Sequence, residues 1–231
     1  MGSTRLPKKS MMSLGGKPLV DHMLQRLKLA KNISTVVLAL PDTPDNESLA
    51  ERAKANGVEC FRGSENDLVD RYYQAACQYK ADVVVRACAD NPLIHPTEVD
   101  RIISYFLESD VDFASNVNNV MGNGYPDGLG AEVMSFDALK WVYENVRDAR
   151  RREHPHESFY GNKERFKLGT VKCPAEFSFP EIILDINTAD EYKFISRLFN
   201  ELQEGDDLIH ISKIIPWYRA NYHLIPETYK K

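Results

Sequence analysis

Short apolar runs alternate along this chain with segments of helical period, and that alternation limits the fold more than any other feature. Residues 18–31 place Leu19, Val20, Met23, Leu24 and Leu27 at helical spacing. Residues 35–40 (Thr-Val-Val-Leu-Ala-Leu) then form a continuous apolar run that stops at Pro41. The pattern repeats as a helix around 47–56, a short strand at 58–61, a helix at 67–79 and the run 82–86 (Asp-Val-Val-Val-Arg). Pro96 opens a helix with an inward face of Val99, Ile102, Ile103, Phe106 and Leu107, and a strand follows at 112–115. Strands without polar alternation are covered on both faces, so the expectation is βαβ units around a largely parallel sheet. Residues 116–130 turn to Asn and Gly and predict a long loop; 131–135, 166–173 and 182–186 read as strands and 188–202 as a helix. Residues 205–207 read as a break before a last short helical segment and a polar tail.

The 231 residues are expected to form one domain, 1–231. A formal net charge of −5 argues against a nucleic-acid surface, and no apolar run approaches the roughly 20 residues that span a bilayer. No export signal opens the sequence, and Cys60, Cys77, Cys88 and Cys173 lack CxxC spacing. They read as reduced, mostly buried thiols, which places the chain in the cytoplasm. An acidic chain that binds an anion has to concentrate its basic residues locally.

Residues 1–9 do so. Gly2 allows close backbone approach, Ser3 and Thr4 add hydroxyl donors, and Arg5, Lys8 and Lys9 bring positive charge to the same turn. The loop reads as a phosphate grip; the other reading is an ordinary basic chain end. Asp90 stands where an apolar strand ends before Asn91 and Pro92, a position suited to holding Mg²⁺, although Asp before Asn-Pro also starts plain turns. Asp185 ends a second apolar run, and Thr188 with Glu191 forms a capping box behind it. Residues 147–153 read as a solvated charged face.

Read in order, these segments resemble the bacterial nucleotide-sugar cytidylyltransferases, which include the acylneuraminate and 3-deoxy-manno-octulosonate cytidylyltransferases and a spore coat polysaccharide branch. The resemblance covers nearly the whole chain. It rests on residues 2–9 (Gly-Ser-Thr-Arg-Leu-Pro-Lys-Lys), 14–19 (Leu-Gly-Gly-Lys-Pro-Leu), 61–64 (Phe-Arg-Gly-Ser) with 70–72, 88–94, 125–133, 152–154 (Arg-Glu-His) and the run ending at Asp185. Residues 14–18 lack Walker spacing and read as the turn that opens the first helix.

The resemblance implies an α/β, nucleotide-diphosphosugar transferase-like (Rossmann-like) fold: a mostly parallel sheet flanked by helices, with a small inserted lobe at about 116–172. It implies CTP and Mg²⁺ as ligands, with Gly2, Ser3, Thr4, Arg5, Lys9, Arg62, Ser64 and Arg71 at the nucleotide. Arg5, Lys9 and Asp90 would be catalytic, and Asp90 and Asp185 would hold the metal. Tyr125, Asp127, Glu132 and His154 would meet the acceptor. A sugar hydroxyl would attack the α-phosphorus of CTP, giving a CMP-sugar and pyrophosphate for surface polysaccharide or glycan synthesis. A homodimer is compatible with the family. The alternatives are a glycosyltransferase on the same fold and a catalytically weak homologue that binds nucleotide.

Several positions depart from the family pattern. Members usually begin with an apolar strand ahead of the basic loop, and here none is written; if Met1 is the true start, a central first strand is expected to be absent and its neighbours to lose ladder partners, and a truncated or misassigned start is the simpler reading. Lys8 stands at a position that is often Gly, and Asn187 where a second Asp is common. Pro155, His156 and Glu157 replace the usual residues after 152–154. A spacing of two on a proline-broken segment makes His154 and His156 surface or acceptor-contact histidines rather than a metal pair.

Overall fold

A computed structural model describes residues 6–205 and 208–230. Strands β1 (Ser13–Leu14) and β2 (Lys17–Pro18) pair antiparallel around Gly15 and Gly16, whose φ values of 51° and 86° only glycine adopts without strain. This is the turn expected at 14–18, and it leads into α1 (Leu19–Leu27), whose Leu19, Val20, Met23, Leu24 and Leu27 are all buried. The alternation continues through β3 (Val37–Pro41), α2 (Glu47–Ala55), β4 (Glu59–Gly63), α3 (Leu68–Tyr79) and β5 (Val83–Arg86). Asp67 caps α3 by accepting from the Asp70 amide.

Pro96 occupies the first turn of α4 (Pro96–Glu108), where its missing N–H costs nothing. Val99, Ile102, Ile103 and Phe106 point inward as expected, whereas Leu107 is 63% exposed. The remaining elements are β6 (Phe113–Ser115), β7 (Glu132–Ser135), α5 (Phe136–Asn145), α6 (Ala149–Glu153), α7 (Pro155–Tyr160), β8 (Leu168–Gly169), α8 (Ala189–Leu202) and α9 (Ile211–Ala220). Thr188 and Glu191 close the expected capping box on α8.

The strands form two main sheets. β3 pairs parallel with β4, and a second sheet has the order β5-β7-β6-β8. Here β6 and β8 run parallel, but β7 is antiparallel to both β5 and β6. The reversal follows from the connection: residues 116–131 return the chain beside β6 with no crossover helix, and only an antiparallel neighbour can be reached that way. The strand expected at 166–173 contracts to β8. That expected at 182–186 is no strand but a single bridge, Asp127 to Ile183, and its Ile182, Ile183, Leu184 and Ile186 serve as core. Among the described residues no strand precedes β1, and β3 and β5 are not paired with each other.

Alternation across β6 and β7 divides the core. Ala114 and Val133 face α1, α2 and α4, while Phe113 and Met134 face α3, α5 and α7. A third cluster joins α8 and α9 to Leu14, Leu19 and the run 182–186. The four cysteines are free, but of the thiols expected to be mostly buried only Cys173 is, with Cys60 and Cys88 half-buried and Cys77 exposed. No helix among the described residues is long and apolar enough to cross a membrane.

Candidate active site

Lys9 opens a single 3-10 turn (Lys9–Met11), preceded by Lys8 at φ 59°, the left-handed region that disfavours any residue with a Cβ. From there the Lys9 ammonium donates to three oxygens: Asp90 Oδ2 at 2.9 Å, the Ile186 carbonyl at 2.8 Å and Asn187 Oδ1 at 3.2 Å. Asp90 lies in the turn that follows β5, where the Asn91 amide bonds to the Cys88 carbonyl. The Ile186 amide donates to the Asp90 carbonyl at 3.0 Å, which ties the 185–187 segment to that turn. Two carboxylates almost a hundred residues apart in sequence, Asp90 and Asp185, are thereby brought to one place.

Asn187 joins them. Its Oδ1 accepts from Lys9 while its Nδ2 donates to Asp185 Oδ2. Burial pushes the Asp185 carboxyl up to about 7, and the negative charges of Asp127, Asp90 and Glu191 push in the same direction against the Asn187 hydrogen bond. The Tyr229 hydroxyl donates to the Asp185 carbonyl and holds the C-terminal segment against this loop.

The oxygens gathered here, from Asp90, Asp185, Asn187 and the Ile186 carbonyl, are of the type that a hard cation takes, and Lys9 places an ammonium among three of them. Among the described residues no group of three or more His, Cys, Asp and Glu side chains converges as a metal site. Asp90 and Asp185 are the two carboxylates that could serve such a cation here, with water and phosphate as its other ligands.

The other expected site residues divide. Gly2, Ser3, Thr4 and Arg5 lie outside the described residues. Arg71 lines the same cavity as Lys9 and Asp90, is fixed by donating to the Ser64 carbonyl at 2.7 Å, and has its pKa lowered by burial. Its buried Nε has no partner. Arg62 stands apart, its guanidinium engaged by Glu47 and lying 3.8 Å from Asp42.

On the acceptor side, Glu132 is buried and bonded to Arg86 at 2.7 Å, because the two residues face each other in the β5–β7 ladder. Asp127 lies close enough to Asp185 to raise its pKa. Tyr125 does not face an acceptor: it is fully buried, and its hydroxyl donates to the buried Glu98 of α4. A buried phenol needs an acceptor, and Glu98 supplies it from the core.

His154 is exposed, its ring centroid 6.0 Å from that of His156. Pro155 restarts the chain as α7 and brings His156 in its place to 3.6 Å from Glu132 Oε1, where burial lowers the imidazole pKa. Arg152, of the same motif, is a tie between elements: it pairs with Asp67 at 2.6 Å and caps α5 through the carbonyls of Tyr143 and Val146. Arg86 escaped the sequence reading, whereas His156 was read as a surface or acceptor-contact histidine. Only the register of β5 against β7 reveals that Arg86 opposes Glu132.

Comparison with known proteins gives a consistent picture. The sequence profile described as Cytidylyltransferase matches residues 1–209. The chain is 33% identical over 210 residues to an uncharacterised protein of Methanocaldococcus jannaschii, covering 91% of this chain and 82% of that protein. It is 26% identical over 228 residues to the spore coat polysaccharide biosynthesis protein SpsF of Bacillus subtilis, covering 96% and 91%. The structure of a cytidylyltransferase from Leptospira borgpetersenii superposes with a TM-score of 0.86 at 30% identity, covering 98% of this chain and 93% of that one.

Proposed function

The chain belongs to the cytidylyltransferase family, and we propose that it transfers CMP from CTP to a sugar hydroxyl with release of pyrophosphate, in the cytoplasm and for surface polysaccharide or glycan synthesis. The observation that carries this reading is the Lys9–Asp90–Asn187–Asp185 arrangement, one cation and two carboxylates held together at the end of β5. Nucleotidyl transfer asks little covalent chemistry of a protein; it asks for in-line positioning and for charge placed against developing charge. Lys9 answers the second need, exchanging its present oxygens for those of the triphosphate, and Arg71 lines the same cavity. Asp90 and Asp185 would hold Mg²⁺, which when bound neutralises phosphate charge. The Glu132–Arg86 pair and His156, from β5, β7 and the lobe at about 116–172, offer charged and hydrogen-bonding groups to the acceptor.

The test is pyrophosphate release from CTP and Mg²⁺ in the presence of a panel of sugars, including 2-keto sugar acids. Release that depends on one sugar, lowered by roughly 10² to 10³ in Asp90→Asn or Lys9→Ala, is expected for groups acting by preorganised electrostatics. Consumption of a nucleotide sugar without pyrophosphate would establish a glycosyltransferase instead.

A further inference from the structure

The segment 182–186 presents its main chain to two sides. Ile182 and Leu184 face Asp127, whose amide donates to the Ile182 carbonyl at 2.9 Å and whose carbonyl accepts from the Leu184 amide at 3.0 Å. Ile186 faces the same way, its amide donating to the Asp90 carbonyl and its carbonyl accepting from Lys9. Main-chain groups that alternate by residue turn Ile183 and Asp185 to the opposite side, where among the described residues no strand pairs with them. Buried main-chain groups need partners all the same. Two tyrosine hydroxyls supply them: that of Tyr218 in α9 accepts from the Ile183 amide at 3.5 Å, and that of Tyr229, in the turn Glu227–Tyr229, donates to the Asp185 carbonyl. Both side chains are buried and meet the Phe194 ring of α8, with centroids 5.3 Å and 6.1 Å away. A phenylalanine would pack there as well, so what each hydroxyl adds is its bond.

We propose that residues 211–230 form a strap that sets the position of Asp185, with Tyr229 as its positioning residue and the two hydroxyls standing in for a neighbouring strand along the 183–185 edge. The proposal rests on the reading of Asp185 as a carboxylate that would hold Mg²⁺. The peptide unit between Asp185 and Ile186 is clamped from both sides, its carbonyl by Tyr229 and its N–H by the carbonyl of Asp90. With both groups engaged, that unit cannot rotate and swing the Asp185 carboxylate away from Asp90; without the Tyr229 hydroxyl one side is released. The strap has anchors of its own, since Ile225 and Trp217 belong to the core around α8 and the Trp217 indole donates to Glu201 at 2.7 Å.

Tyr229→Phe removes the hydroxyl and keeps the ring. In the free protein it should speed hydrogen exchange at the amides of residues 184–187 by about fivefold, as for one lost hydrogen bond, and leave α1 to α4 unchanged. Tyr222→Phe, at an exposed tyrosine of the same segment, should exchange like wild type. CTP is then titrated calorimetrically, in EDTA and in excess Mg²⁺. Tyr229→Phe should bind CTP as wild type does in EDTA and about three- to tenfold more weakly in Mg²⁺, a split that a general loss of stability does not produce. Asp185→Asn should lose most of the tightening that Mg²⁺ brings. Wild-type exchange at 184–187 in Tyr229→Phe, equal weakening with and without Mg²⁺, or the same effects from Tyr222→Phe would overturn the strap. Tightening by Mg²⁺ that survives Asp185→Asn would instead overturn the reading of Asp185 on which the proposal rests.

Discussion

At the residue scale, Lys9 and Asn187 define the state of the site. The Lys9 ammonium lies among oxygens of Asp90, Ile186 and Asn187, and on the proposed reading a cation and a triphosphate would take over those contacts. Asn187→Asp replaces the amide that donates to Asp185 with a further charge beside Asp90 and Asp127. The expected outcome is a lower Tm in EDTA than wild type and a larger rise on adding Mg²⁺, with affinity increased by roughly tenfold in a calorimetric titration. Lys8 pays for its left-handed backbone, and Lys8→Gly should raise stability by up to about 1 kcal/mol in a urea melt. That Lys9, Asp90 and Asp185 would lie near one another was legible from the family resemblance and from the apolar runs that end at the two aspartates. The double role of Asn187 was not, because an amide that bridges a lysine and a carboxylate leaves no mark until the two loops meet. Tyr125 shows the opposite error, since a motif position says nothing of which way a ring turns.

At the scale of elements, the helices from α1 to α4 and the strands β3 to β5 were readable because period and composition agreed. The run 182–186 misled: its apolar side chains are needed by the core around α8 and α9, and Asp127 gives it only one bridge. At the start of α4, His95 is buried against His210, with ring centroids 5.2 Å apart, and Arg26 lies nearby. Burial, then the charges of His210 and Arg26, pull its pKa down to about 4. Its folded pKa thus lies below the unfolded value near 6.5, so the contribution of neutral His95 is complete above pH 6.5 and drains away as pH falls towards 4. Urea melts between pH 7 and pH 4 should show wild type losing up to about 3 kcal/mol relative to His95→Gln. Parallel curves for the two proteins would remove His95 from the pH dependence.

At the scale of the whole molecule, the α/β class followed from the alternation alone, while the division of the strands into separate sheets is seen only in the structure. The antiparallel course of β7 was not legible, because a loop of Asn and Gly specifies a return of the chain and not its direction. What the fold achieves is to bring Lys9, Asp90 and Arg71 from three separate segments to one cavity beyond the end of β5, with Asp185 tied beside Asp90 through Ile186 and Asn187. The most direct measurement is a thermal-shift series with CTP, UTP, ATP and GTP, each with and without Mg²⁺, on wild type and Asp90→Asn. A nucleotide at 100 times its Kd adds about 2.7 kcal/mol, or roughly 5 to 10 °C for a chain of this length. The expected result is a shift of that size for CTP with Mg²⁺ that disappears in Asp90→Asn; no shift with CTP, an equal shift with all four nucleotides, or one that survives in the variant would contradict the assignment of this site.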